Sequence, residues 1–570
     1  MCENGQMILS NKQIAEFLDE VRHLMDLNGE NVFKVRAFEK ASDLVSELSA
    51  DEDLYVRAKN KSLTELAGIG KGISEVLTEY LLTGKSKVRE ELEAALPVGL
   101  MELTEIPGLG PKRARQLIDE LDIHSVGELE YACRENRILK LKGFGEKAQH
   151  KILEGIQFLA THRGQRRLDD AFPVAKQLLE TLLQAVNHGR HPVPDQLRVS
   201  EAGALRRRLE TLSELEFLIE IPAGVKHADE LRSRSQTTLE KFLAETKFAL
   251  PVHLHFASPE KFGFELAKLT GSKEHWHALG NPEPFDARTE EDFYTRLKLP
   301  VIPPESRETG EEVSLARSGG LMDGGANGLL PWDGVRGVFH NHTTRSDGRD
   351  SLEDMVIAAK KCGYAYIGIS DHSQSAFYAQ GLKSDALLEQ EKEIRALQEK
   401  HPDIRIFWGI ESDILADGDL DYDAKMLKRF DFVVASVHSR FQMEKEAMTD
   451  RILTAIRHPA TRFLGHATGR ILLGRKGYDL HMEKVIAEAA RCNVAIEINA
   501  NPARLDIDWR WGKELRASKT LVSVNPDAHD VAGLSDTIYG IAVARKALLP
   551  TGLVVNSRSV QEVEKWLKRL

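Results

Sequence analysis

At 570 residues the chain exceeds what one hydrophobic core usually organises, so about three to five domains in series are expected. Hydrophobic residues make up 42% and charged residues 29%, a composition that excludes wholesale disorder. The net charge of −11 leaves nucleic acid open as a partner, because phosphate is met by local charge, whereas no apolar run reaches the roughly 20 residues that cross a bilayer and the start, MCENGQMILSNK, is no leader, so a cytoplasmic protein away from membranes is expected.

The first 164 residues carry an internal repeat. LAGIGKGI (66–73), IPGLGPKRA (106–114) and LKGFGEKA (141–148) each place a Gly-apolar-Gly turn before a basic residue that enters a helix. Paired glycines, Gly68 and Gly70, Gly108 and Gly110, Gly143 and Gly145, permit a tight turn whose amides point outward at a helix start. Lys71, Lys112, Arg113 and Lys147 add charge, giving a cradle for DNA backbone phosphate that ignores base sequence. One such turn is usually a plain helix connector; three are a DNA grip. They resemble helix-hairpin-helix motifs. With NVFKVRAFEKA, which contributes Lys34 and Arg36, and LTEYLLTGK, they resemble the small 5′-phosphate-binding domain (1–90) and fingers (91–164) of family X DNA polymerases. In lyase-active eukaryotic members of that family a lysine follows the first hairpin; Val76 stands there, and an isopropyl group cannot form a Schiff base, so no such lyase is expected.

The middle segment, VSEAGALRRRLETLSELEFLIE (199–220), ends in strand-like alternation that puts Glu214 and Glu216 on one face. Such a pair can bridge two magnesium ions, or it can be the solvated edge of a strand. The segment resembles a family X palm (165–260), an α+β nucleotidyltransferase-like domain, followed by a thumb-like segment (261–305). The departures fall on the chemistry. Gly203-Ala204 replaces Gly-Ser, Glu214 and Glu216 stand for two aspartates, and His253 stands for the third. In KLTGSKEHW, Gly271 and Ser272 are kept, but Leu269 replaces an aromatic residue and Trp276 an asparagine. Polymerisation is therefore expected to be weak or lost, with magnesium and dNTP needed only if the palm works; Arg206, Arg207 and Arg208 are still suited to phosphate. PPESRETGEEVSLARSGGLMDGGANGLLPW has the composition of a flexible connector (306–333).

From Val335 one phrase recurs, an apolar β-rich run that ends in a ligand-type residue and leads into an amphipathic helix: VRGVFHNH, YAYIGISDH, IRIFWGIE, FDFVVASVH, TRFLGH, VAIEIN and LVSVNPDAH. Seven such units predict a distorted parallel (β/α)7 barrel over 334–570, with its chemistry at the C-terminal strand ends. There stand His340, His342, His372, Glu411, His438, His466, Asp527 and His529, with Asp347 in the first loop. The four cysteines (Cys2, Cys133, Cys362, Cys492) form no CxxC pair, which excludes a disulfide framework and a thiolate zinc site, so any metal is held by imidazole and carboxylate. Nine such groups suit two or three ions, manganese first and zinc or iron next, able to hydrolyse a phosphoester. Arg470, Asn499 and Arg504 are candidates for substrate phosphate, with loop-stabilising roles as the alternative.

FHNHTTRSDG, GISDHS, GIESDIL, SVHS, LGHATGR and NPDAH resemble the PHP (polymerase and histidinol phosphatase) domain. The resemblance implies a trinuclear metal centre on the nine positions, none of which is replaced. Taken whole, the chain resembles a bacterial family X DNA polymerase fused to a PHP domain. The expectation is a monomeric DNA-repair enzyme that acts on gapped, nicked or 3′-damaged duplex as a 3′-5′ exonuclease or 3′-end phosphoesterase, with abasic-site cleavage also implied by the family. The alternatives are an active gap-filling polymerase and a small-molecule phosphatase of the histidinol-phosphate kind.

Overall fold

The computed structural model describes residues 9–48, 52–97, 99–134, 137–162, 164–187, 197–221, 225–246, 248, 250–319, 325–376, 379–473 and 476–568; Cys2 and residues 320–324 of the expected connector lie outside them. The chain divides into two units, residues 1–163 and 164–570. Among the described residues no helix is long and apolar enough to cross a membrane.

The described part of the first unit is helical. Its opening helix, Asn11–Leu27, starts in a capping box, with the Ser10 hydroxyl accepting from Gln13 N and the Gln13 side chain accepting from Ser10 N. Ile14, Phe17, Leu18 and Val21 recur on one face and bury against Phe38, Ala41 and Val45 of Val32–Glu47 and against Ile73 and Leu77 of Lys71–Thr83. Val76 belongs to this core. A second core, containing Ile106, Leu117, Leu129, Phe144 and Ile152, carries the other two hairpins.

The second unit begins with a three-stranded palm sheet, β1 (Val199–Ala202), β2 (Leu215–Glu220) and β3 (Val252–Ala257), in which β1 is antiparallel and β3 parallel to the central β2. Helices Leu168–Asn187 and Val225–Thr246 cover one face through a shared apolar cluster. Next comes a small helical layer, Phe262–Thr270, Lys273–Ala278 and Glu290–Arg296, built on Phe264, Trp276, Phe285 and Phe293. Trp276 thus serves as core of that layer.

The flexible connector is corrected by the structure over residues 303–319. Pro304–Ser306 and Glu311–Arg317 are helical, and Arg307 and Glu312 are fully buried. Arg307 pairs with Glu290 and donates to Ile302 O at 2.8 Å, and Glu312 meets His275 Nδ1 at 2.7 Å. Glu305 and Glu308 accept from Arg545 and Lys546 of the barrel helix Thr537–Lys546. Polar composition misleads here because these charges satisfy one another in the interior, where unpaired they would be costly. On the same side, Glu210 of the palm accepts from Trp509 Nε1 at 3.1 Å and Arg510 at 2.8 Å, so palm and barrel are fastened together by buried polar contacts.

The barrel has seven parallel strands in sequence order: β4 (Gly337–Val338), β5 (Tyr366–Ile369), β6 (Arg405–Asp413), β7 (Phe432–Ser436), β8 (Thr461–Leu464), β9 (Ala495–Asn499) and β10 (Val522–Asn525). Beyond the strand ends the circle is bridged by Asn341 pairing with Ala528, where His342 N donates to Ala528 O at 2.8 Å. Phe339, Tyr366, Phe407, Phe432 and Phe463 pack together into an aromatic layer, backed by Val563 and Leu567 of the final helix, Val560–Leu567. Gly368 and Gly409 make room for it, since a Cβ on either would lie under 3 Å from the Phe432 ring. Period two then explains the site: along β6, Phe407, Gly409, Glu411 and Asp413 share one face, which runs from apolar plug to ligand cluster in four inward positions.

Candidate functional site

All nine ligand-type residues read from the sequence come together beyond the C-terminal strand ends. Three sets have donor atoms close enough to share an ion: His342, Asp347, His372 and His529; His340, His342 and Asp527; and His372, Glu411 and His438. His466 adjoins the third set, its Nε2 lying 3.0 Å from Glu411 Oε1 and 3.3 Å from His438 Nε2. His342, His372 and Glu411 link the sets into one cluster. His466 (φ 22°) and Asp527 (φ 52°) hold left-handed backbone, a conformation that needs surrounding structure to enforce it.

Electrostatics sets the cluster apart from an ordinary polar interior. His340 Nε2, His342 Nδ1 and Glu411 Oε2 are buried with no hydrogen-bond partner, an arrangement that costs free energy unless a cation fills it. Burial pushes His340 down, and the carboxylates of Glu497, Glu411 and Asp527 more than reverse it, raising the imidazole well above its ordinary value. Burial together with His529 and His372 takes His342 down to about 3. His438 rises to about 9, as Glu411 and Asp413 outweigh burial, and His529 also rises to about 9 through Asp347 and Asp527. Glu411 and Asp527 fall well below the usual carboxylate range, the surrounding histidines outweighing burial. Buried imidazoles and carboxylates gathered this closely, with donor atoms left unsatisfied, form a donor set that fits divalent metals.

Three carboxylates behind the cluster escaped the sequence reading. Glu497, fully buried on β9, accepts from His340 Nδ1 at 2.7 Å, His466 N at 2.8 Å, and the side-chain amides of Asn499 and Asn525 at 3.1 Å each. Asp413 accepts from His438 Nδ1 at 2.7 Å. Asp371, raised by burial, gathers Thr343 N and Oγ1, Ser346 Oγ and Gln390 Nε2, bracing the loop between His342 and Asp347. These groups fix imidazole orientation and tautomer. The signal was present: Glu411-x-Asp413 and Glu497-x-Asn499 continue the inward period by one step beyond or before the quoted ligand.

The three phosphate candidates separate. Arg470 is corrected to a loop clamp, held by Asp508 and by the carbonyls of Arg504 and Leu505. Asn499 is buried and donates to Glu497 and Asp527, so it supports the ligands from behind. Arg504 is partly exposed, lies 3.6 Å from Asp527 Oδ2, and depresses His466 after burial, which puts its charge at the cluster.

The palm differs in a similar way. Arg206 forks onto Glu290 at 2.9 and 2.6 Å, Arg207 meets Glu308 at 2.9 Å and Arg208 meets Glu201 at 2.8 Å. Ser272 caps its helix through His275 N and donates to Glu308 O. The expectation that these arginines serve phosphate gives way to internal pairing, because acidic partners on the sheet itself (Glu201), the following helical layer (Glu290) and the connector (Glu308) stand within reach. Glu214 lies 3.2 Å from His253, and Glu216 lies 3.1 Å from His255, a histidine the sequence reading passed over. Gly203 holds left-handed backbone (φ 59°), and a Cβ there would stand 1.8 Å from Glu216 Oε2; a Cβ at Gly271 would stand 2.7 Å from His275 Cδ2.

In the first unit the three glycine turns share one geometry. Gly68, Gly108 and Gly143 hold φ of 113°, 84° and 89°, and Ile69, Leu109 and Phe144 each donate to the carbonyl three residues back and bury their side chains. Gly70 and Gly110 cap the helices that follow. Beside Gly70, Gly108, Gly110, Gly143 and Gly145 an added Cβ would meet nothing within 4 Å, so these turns are open on their outer side. Lys71, Lys112 and Lys147 are exposed there. Arg113 instead donates to Gly143 O at 3.1 Å and lies 4.5 Å over the Phe144 ring, tying the second hairpin to the third.

Comparison with known proteins agrees with this division. Residues 9–86 match the helix-hairpin-helix domain family, 100–157 the SAM-like helix-hairpin-helix tandem, and 339–501 the PHP domain family. The DNA polymerase/3′-5′ exonuclease PolX of Bacillus subtilis is 33% identical over 98% of this chain and 100% of its own length. A probable phosphatase of Vibrio atlanticus is 29% identical over 34% of the chain and 79% of its own length, and one of Acetivibrio thermocellus is 24% identical over 40% and 94%.

Proposed function

The chain belongs to the family of the DNA polymerase/3′-5′ exonuclease PolX, and from that premise we propose that it is a metal-dependent DNA 3′-end processing enzyme whose working site is the barrel. The observation that carries the reading is the gathering of nine imidazoles and carboxylates, with buried donor atoms left unsatisfied, at the open end of the barrel. The hairpins hold gapped or nicked duplex by its backbone, and the barrel removes nucleotides or phosphate from the 3′ end; cleavage at abasic sites uses the same chemistry. Manganese suits the mixed donor set first, with zinc and iron also within its range. Ions bound there supply Lewis acidity to the scissile phosphate and an activated water. Glu497 and Asp413 orient His340 and His438, Asp371 holds the loop that brings Asp347 inward, and Arg504 offers the exposed positive charge for the phosphate. The aromatic layer seals the centre from below, which keeps its electrostatics strong.

The polymerase reading is disfavoured by the palm. Its three arginines and Ser272 are occupied internally, and its carboxylate face carries two histidines. The small-molecule phosphatase reading rests on the barrel alone and leaves three phosphate-facing glycine turns without a use. The test is a labelled primer annealed across a gap, with manganese or magnesium and with or without dNTPs, comparing wild type with His342→Ala/Asp527→Ala. Shortening by wild type that vanishes in the double variant, without dNTP-dependent lengthening, is expected. Lengthening by the variant would restore the polymerase, and no change to the primer with either protein would point to another substrate.

A further inference from the structure

The palm face that has lost its aspartates is not chemically empty. His253 and His255 alternate with Leu254 on β3 and so project from the same side of the sheet, and Glu214 and Glu216 project from that side beside β2. The register pairs Glu216 with His253, while the Glu216 side chain reaches His255, one same-face position further along β3. In place of three carboxylates, this face presents an HxH pair and an ExE pair across one parallel ladder.

We propose that this face is a separate binding site for one transition-metal ion of the zinc class, held by His253, His255 and Glu216 and bordered by Glu214. Two imidazoles and one carboxylate are a facial donor set that favours zinc, cobalt or iron over magnesium. Glu216 is already aimed, since its Oε1 lies 3.1 Å from His255 Nε2 while its Oε2 rests in the space that only a glycine at 203 leaves free. His253 Nε2 lies 3.2 Å from Glu214 Oε2, and its side chain is 52% exposed, so little packing holds it in that orientation. The two contacts are one step apart on the ladder, about 6–7 Å along the strand, so a shared ion requires His253 to leave Glu214 and turn toward Glu216. With three protein ligands the remaining position is open to water or a phosphate oxygen, as in sites that are not purely structural. The ion would occupy the place of the magnesium pair without the geometry that nucleotidyl transfer needs, which accounts for Glu and His standing together where aspartates are replaced.

The test is equilibrium dialysis of the full chain against Zn2+, followed by metal analysis, for wild type, His253→Ala/His255→Ala and the shape-conserving Glu216→Gln. One equivalent of zinc fewer per chain in the double variant, and weaker retention in Glu216→Gln, with exonuclease activity kept, is the expected result. The same one-equivalent deficit in a His342→Ala background, where the barrel centre is impaired, keeps the readout independent of the exonuclease reading. Unchanged zinc in folded variants would overturn the site, and so would a zinc deficit that always travels with lost exonuclease activity, because the missing ion would then belong to the barrel. Should the double variant not fold, Glu216→Gln alone decides between retained and weakened zinc.

Discussion

Glu497 is the most informative residue to change, because it touches the cluster only through other side chains. Its two oxygens accept four hydrogen bonds, from His340 Nδ1, His466 N, Asn499 and Asn525. Glu497→Gln keeps the shape, removes the charge and turns an amide N–H toward at least one of those donors. A hydrogen bond to a charged group contributes about 1.5–3 kcal/mol, and 1.4 kcal/mol is a factor of ten, so the loss of the His340 bond corresponds to about 10–100-fold. The effect should fall on metal affinity, since His340 remains in place but is less well oriented and less basic. In a manganese titration of primer shortening, the half-saturating concentration is expected to rise about 10–100-fold, with most of the rate recovered at saturation. Asp413→Asn should act in the same direction through His438. A variant with the wild-type manganese dependence and a lower plateau rate would refute the orienting role, because Glu497 would then act on the chemical step.

Three further outcomes follow from other parts of the molecule. Burial, with Asp169 and Asp530 nearby, raises Asp536 to about 7, so the folded state holds its proton more tightly than the unfolded chain and stability is lost as pH rises from about 4 through 7. Asp536 makes no capping hydrogen bond, so Asp536→Asn should raise the thermal midpoint more at pH 8 than at pH 5; an equal gain at both would discount the titration. Lys112→Ala/Lys147→Ala should weaken binding of gapped duplex alike for all sequences and reduce the slope of log affinity against log salt by about two, one per lost phosphate contact, as read by fluorescence anisotropy. Arg206→Ala removes the fork onto the buried Glu290 and should cost about 2 kcal/mol of stability in denaturant unfolding, whereas a phosphate-binding arginine would leave stability unchanged.

Most of the barrel was legible because its strands advertise themselves twice, once by β-rich apolar runs and again by a ligand at each end. The three hairpins were legible because a left-handed glycine has few alternative uses when it recurs before a helix. The connector and the palm arginines were not, for one shared reason. Composition reports how polar a segment is but not whether its charges have partners, and the partners are distant: Glu290 for Arg206 and Arg307, Glu308 for Arg207 and Lys546. The same blindness hid Glu497, a carboxylate inside an apolar strand whose meaning depends on His340 from across the barrel.

These pairings also bear on why the palm persists. Arg207 and Lys546 converge on Glu308, and Glu210 receives Trp509 and Arg510, so Arg207, the segment around Glu308 and the barrel share one polar seam. Lys546 is buried there, and burial lowers its pKa, with Glu308 offsetting only part of the cost of enclosing the charge. Breaking such a seam leaves charges unpaired in the interior, which costs several kcal/mol, so the three-stranded sheet supports the barrel independently of any chemistry on its own face. Arg207 therefore works in the seam that joins this sheet to the barrel and its metal-ligand cluster, while Arg206 and Arg208 tie the sheet to Glu290 and Glu201.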